Sequence, residues 1–177
     1  MANFTKIAIK AAFIQLLNER PMNKITVKDI TDSCGVNRNS FYYHFQDIPA
    51  LLEELLTDIV NRVLDSHPSI SSIEECLLTG VGIAEENKRA ILHIYNSVNR
   101  DMFERYLWRV CEYSVNTYFS TALKDLDVSP EDRAILIRYH MCESFGLVIG
   151  WLNDGMREDI KPFLRRICEL KGYSSLG

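Results

Sequence analysis

The chain has 177 residues, 47% of them hydrophobic, and a formal net charge of −4. That is enough apolar material for a core. No apolar run approaches the roughly 20 residues that cross a bilayer, which excludes a membrane span, and the start, MANFTKIAIK, lacks the uninterrupted apolar stretch and cleavage site of a signal peptide, so the expected location is the cytoplasm. In chain order, Ile7, Ala11, Ile14 and Leu17 return at helical spacing between Phe4 and Glu19, and Pro21 ends the run. This is a first helix, bracing the segment after it.

The stretch Thr26 to Asp47, TVKDITDSCGVNRNSFYYHFQD, reads as two short helices joined by a tight turn. Thr26 caps the first, its hydroxyl accepting from the backbone N–H of Asp29, whose carboxylate sits in the first turn where the helix dipole favours negative charge. Val27 and Ile30 give that helix its apolar side, and Gly35 stops it in the left-handed conformation that other residues resist. Val36 is expected as the buried plug of the turn. Asn37 caps a second helix, Arg38 to His44, whose Phe41 and Phe45 face the core at i and i+4. The opposite face carries Arg38, Asn39, Ser40, Tyr42, Tyr43 and His44. Arginine can fork onto guanine and asparagine onto adenine, while hydroxyl and imidazole groups bond phosphate oxygens; a solvated surface would carry a similar set.

Ile25 to Leu56, ITVKDITDSCGVNRNSFYYHFQDIPALLEELL, resembles the DNA-binding module of the TetR family of transcriptional regulators: a helix-turn-helix ending in an aromatic run, a polar cap, then a long helix. The resemblance implies that Arg38, Asn39 and Tyr42 touch bases and that Thr26, Lys28, Ser40, Tyr43 and His44 touch phosphate or sugar; Asn37 is expected in the same DNA-binding set. It departs from the family pattern at two positions. Ile48, followed by Pro49, stands where the family often has a phosphate-binding lysine, and Cys34 replaces a small alanine. Charge is divided in the same sense: residues 1–47 hold six basic groups (Lys6, Lys10, Arg20, Lys24, Lys28, Arg38) and four acidic ones, leaving −6 for the remainder.

Asp47 caps a helix running to about Ser66, with Leu52, Leu55, Leu56, Ile59 and Val63 as its stripe and His67-Pro68-Ser69 as its break. Ser71 or Ser72 starts a helix toward Glu86, and Asn87 to Val98 forms a short one. Asp101 to Leu126 is a long helix, Ser129-Pro130-Glu131 opens another that runs to Asn153, and the last spans about Asp159 to Lys171, ended by Gly172. The fold class is all-α with about nine helices: a helix-turn-helix domain at residues 1–47 and a helical regulatory and dimerisation domain at 48–177. Five cysteines, Cys34, Cys76, Cys111, Cys142 and Cys168, lack metal-ligand spacing and are expected as small buried residues.

Aromatics at helical spacing in the middle of the chain fit a core; the resemblance also places a small-molecule effector site there, implying His93, Tyr95, Phe103, Tyr106, Trp108 and Tyr113 as its wall. His140 and Glu143 fit core, surface or pocket. Gly146 and Gly150 share a helix face that lets another helix approach, within the chain or across a dimer. Since the family dimerises through its last two long helices, a homodimer contact of Gly146, Gly150, Trp151, Phe163, Leu164 and Ile167 is implied. GLVIGWLNDGM is also similar to a subgroup that includes regulators of dihydroxyacetone kinase operons. No nucleophile–base pair, paired carboxylates or metal-ligand spacing is present, so neither catalysis nor a cofactor is expected. The expected partner is double-stranded operator DNA.

Overall fold

The computed structural model describes the backbone of residues 2–66, 73–121, 123–124 and 127–174. All regular structure among these residues is helical: α1 (Ala2–Glu19), α2 (Val27–Cys34), α3 (Arg38–His44), α4 (Ile48–Ser66), α5 (Ile73–Glu86), α6 (Lys88–Tyr95), α7 (Arg100–Thr121), α8 (Pro130–Asn153) and α9 (Lys161–Ser174), with a 3-10 turn at Met22–Lys24. The expected break at His67-Pro68-Ser69, a start at Ser71 or Ser72, the Leu126 terminus and the side chains of Val63 and Cys76 lie outside the described residues.

Local signals set most boundaries. Ser129 Oγ accepts from the Asp132 N–H at 3.0 Å and opens α8 ahead of Pro130, while Asp47 Oδ1 accepts from the Ala50 N–H at 2.7 Å at the start of α4. Two helix ends, those of α6 and α9, differ from expectation. The α6 helix closes at Tyr95 because the Ser97 hydroxyl and Ser97 N–H both donate to the Ile94 carbonyl, tightening the last turn. Near the end of α7 the Arg133 guanidinium donates to the carbonyls of Phe119 and Leu123. Gly172 does not stop α9, which continues to Ser174; one glycine costs a helix only about 1 kcal/mol relative to alanine.

The chain divides into two compact units. One gathers Met1–Asn61 and Asn87–Tyr106, the other Arg62–Glu86 and Leu107–Gly177. The first unit closes around Ile9, Phe13, Leu17, Ile30, Phe41, Leu51 and Leu52, none with any exposure, and α6 adds Ala90 and Ile94 to the same core. This corrects the face assigned to the first helix. Ile7 is 57% exposed and Ala11 is exposed, while Ile9, Ala12, Phe13 and Leu16 point inward. Apolar residues occur all around α1, so spacing alone fits more than one face. Ion pairs also clamp α1 to α4: Lys6 and Lys10 reach Glu54 at 2.7 and 2.5 Å, and Lys10 reaches Asp58 at 2.5 Å. Partial burial alone would raise the Glu54 carboxyl, but hydrogen bonds from Lys10 and Lys6 outweigh it and hold it below the usual range.

The second unit packs Val115 and Phe119 of α7 on Met141 of α8, with Trp108, Leu136 and Ile137 around them. Lys161 of α9 donates to Glu85 of α5 at 2.5 Å. The cysteines do not all share the expected burial. Cys111 is buried, Cys34 and Cys168 are half-buried, and Cys142 is exposed on α8.

Candidate nucleic-acid interface

Both short helices of the reading stretch are held by their own caps. Thr26 Oγ1 accepts from the Asp29 N–H at 3.2 Å, and Asp29 Oδ2 in return accepts from the Thr26 N–H at 2.8 Å and from its hydroxyl at 2.7 Å. These bonds from Thr26, with Arg20 and Lys28 nearby, hold the Asp29 carboxyl below its ordinary value. Gly35 takes φ 68° and ψ 25°, and its N–H donates to the Thr31 carbonyl. Only a residue without a Cβ enters that conformation at no cost. Val36 is half-buried rather than buried, lying against the core edge as the chain turns. Asn37 Oδ1 then accepts from the Ser40 N–H at 2.8 Å and from its hydroxyl at 3.1 Å, setting α3 in register.

That register divides α3 as the spacing requires. Phe41 has no exposure and Phe45 has 3%, whereas Tyr42 is 56% and Tyr43 79% exposed. Arg38 and Asn39 are exposed beside them, and Ser40 and His44 are half-exposed, with the His44 ring edge-on to Tyr43 at 5.0 Å. Two tyrosines side by side and exposed on a seven-residue helix offer apolar surface and two hydroxyls to a partner. A forked cation, an amide and two phenols on one exposed helix face match the donors and acceptors of a DNA groove and its phosphates.

Electrostatics sharpen the assignment beyond the sequence. Of the six basic groups before Asp47, Lys6 and Lys10 bind α4, and Arg20 lies 3.5 Å from Asp29. Lys24, Lys28 and Arg38 are exposed and form no ion pair among the described residues. Charge counting could not separate these two groups, because the pairing depends on α4 and α2 packing beside α1. Ile48, at the position where a lysine is common, packs against the core, so it adds no cation to this side. Lys28→Ala is expected to weaken binding to all duplexes alike and to lower the slope of log affinity against log salt by about one, as one phosphate contact fewer requires. Titrations at several salt concentrations measure it; an unchanged slope would remove Lys28 from the contact.

The implied effector residues fall into separate units. His93, Tyr95, Phe103 and Tyr106 belong to the first: Tyr95 is 1% exposed and packs edge-on against Phe103 at 5.9 Å, Tyr106 bonds Thr57 at 2.9 Å, and His93 Nδ1 bonds the Leu17 carbonyl at 2.7 Å. Trp108 and Tyr113 belong to the second, where both are half-buried and Trp108 lies 5.3 Å from Phe145 and under the Arg138 guanidinium. The implied dimer residues divide too. Trp151 and Leu164 are 6% and 2% exposed and serve the chain's own interior, the Trp151 indole N–H donating to the Glu158 carbonyl at 3.0 Å. Gly146, Gly150 and Phe163 are exposed, and Ile167 is half-buried. His140 Nδ1 lies 3.1 Å from Glu143 Oε2 in a half-buried pair on α8.

Comparison with known proteins agrees with the geometry over most of the chain. The family profile described as bacterial regulatory proteins, tetR family, matches residues 9–55, and a second, described as transcriptional regulator C-terminal region, matches residues 71–171. The uncharacterized HTH-type transcriptional regulator YxbF of Bacillus subtilis is 21% identical over 96% of this chain and 45% of its own length. HTH-type transcriptional regulator EthR of Mycobacterium tuberculosis is 31% identical over 44% of this chain and 39% of its own. The chain thus spans less than half the length of these relatives. Among solved structures, the dihydroxyacetone kinase operon activator DhaS superposes with a TM-score of 0.78 at 19% identity, covering 94% of this chain and 93% of that one. NalD, the secondary repressor of the MexAB-OprM efflux pump in Pseudomonas aeruginosa, superposes with a TM-score of 0.62 at 20% identity, covering 94% and 93%. No helix among the described residues is long and apolar enough to cross a membrane, and no group of three or more metal-ligating side chains is present among them.

Proposed function

The chain belongs to the TetR family of transcriptional regulators, and we propose on that footing that it is a homodimeric, effector-responsive repressor binding a near-palindromic operator in the cytoplasm. The carrying observation is the outward face of α3, where Arg38, Asn39, Tyr42 and Tyr43 stand exposed on a helix capped at Asn37 and seated by Phe41. Arg38, Asn39 and Tyr42 read base edges. Thr26, Lys28, Ser40, Tyr43 and His44 hold phosphate or sugar, and Asn37, whose carbonyl oxygen is engaged in the cap, contributes through its amide nitrogen.

A second copy is the proposed partner of α8 and α9. Ile135 and Tyr139 are 65% and 59% exposed and stand in one row with exposed Cys142, Gly146 and Gly150. A Cβ built at either glycine meets nothing within 4 Å, so the bareness of that row serves no packing inside the chain. It suits another helix approaching closely. Light scattering at micromolar concentration is expected to give about twice the 20.4 kDa of one chain, with and without DNA. A monomer under both conditions would refute the dimer.

The effector is a small, largely apolar molecule, with Trp108 and Tyr113 its proposed contacts in the second unit. The shared fold has served an activator as well as a repressor, and a protein that activates through a protein partner is the second reading. Transcription from a promoter carrying the selected operator separates the two: repression is expected, and an increase would favour activation.

A further inference from the structure

The end of α1 lacks a donor that the sequence itself removes, and α6 supplies another. The Arg20 N–H reaches the Leu16 carbonyl at 3.0 Å, continuing the ladder one residue past α1. The next carbonyl is that of Leu17, and its helical donor would be the N–H of residue 21. Residue 21 is Pro21, which has none. His93 Nδ1 stands 2.7 Å from this oxygen, across 76 residues of sequence. A carbonyl only accepts, so Nδ1 carries the hydrogen and donates.

The bond sits where it can position the reading head. His93 lies between Ala90 and Ile94, which share a core with Ile9, Phe13 and Leu17 of α1. Just after α6, Asn99 Nδ2 donates to Met22 Sδ at 3.4 Å, a second tie to the turn beyond α1. Both α2 and α3 pack on α1. Wherever α6 holds the end of α1, it also sets the seat of the reading helix.

We propose that His93 is a positioning residue for DNA reading, fixing α6 on the end of α1 through the carbonyl that Pro21 leaves without a donor. The proposal rests on the DNA-reading role of α3. His93→Ala removes the donor. His93→Asn retains a nitrogen donor at the place of Nδ1, and Pro21→Ala returns an N–H to residue 21.

The test uses the full chain and a duplex enriched from a random pool by the wild-type protein. His93→Ala is expected to bind that duplex about 2- to 12-fold more weakly, the fold-change that corresponds to one net hydrogen bond, and to lose less on a scrambled duplex of equal length. His93→Asn should bind like wild type, and Pro21→Ala should recover part of the loss when combined with His93→Ala. In the wild-type protein, nitrogen spectra of the ring should show Nδ1 protonated. Unchanged binding by His93→Ala, equal loss on both duplexes, His93→Asn as weak as His93→Ala, or an unprotonated Nδ1 would overturn the proposal while leaving the regulator reading intact. A pool that wild-type protein fails to enrich would overturn both. Because His93→Asn and the ring spectra do not depend on the alanine variant folding, the test survives a failure of that variant.

Discussion

Phe41→Ala is expected to destabilise the first unit by about 3–5 kcal/mol, the range for deleting a fully buried phenylalanine side chain. Phe41 has no exposure and packs 5.8 Å from Phe45 and 5.5 Å, edge-on, from Tyr42, so the cavity would open directly beneath the reading face. A domain of ordinary stability, about 5–15 kcal/mol, would lose about a fifth of it or more, and DNA binding should fall with it. Two residues away, Tyr43→Ala should do the opposite. Tyr43 is 79% exposed, so its removal should leave stability within about 0.5 kcal/mol while still weakening DNA binding. Urea unfolding of both variants, beside binding to an enriched duplex, measures the contrast. Equal stability of Phe41→Ala and Tyr43→Ala would contradict the orientation of α3.

Arg38→Ala and Asn39→Ala are each expected to lose about 1–3 kcal/mol, or about 5–150-fold, on the operator, with the discrimination at one base position relaxed. Both side chains are exposed at the start of α3, immediately after the Asn37 cap that fixes their direction. A bidentate base contact distinguishes one base from another, so the loss should be large on the operator and small on random DNA. This separates them from Lys28, whose loss should be uniform. Affinities for matched and single-base-substituted duplexes give the measurement. Equal loss on specific and random DNA would assign Arg38 to the backbone instead.

What the sequence made legible was local. Thr26, Gly35 and Asn37 act within three or four residues of themselves, so their caps and the left-handed turn could be read one residue at a time, and α2 begins and ends, and α3 begins, where they require. The division of α3 came from two phenylalanines at i and i+4. Pairings between distant segments were not legible. The apolar ring around α1 gave spacing no means of choosing Ile9 and Phe13 over Ile7 and Ala11; α4 and α6 make that choice by packing on the other side. Trp151 and Leu164 are large and apolar, which suits a contact between chains, yet both are buried in this one, and the Trp151 indole N–H is engaged by the Glu158 carbonyl after α8. The His93 bond spans two helices and takes its meaning from Pro21, a proline whose visible role was only to end a helix.

The central claim is that two copies of the α3 face read one two-fold DNA site, and selecting duplexes from a random pool with the purified protein tests it most directly. The expected result is enrichment of a near-palindrome whose half-sites lie about 34–36 Å apart, one helical turn of DNA. Enrichment of no sequence, or of a single unrepeated half-site, would contradict it.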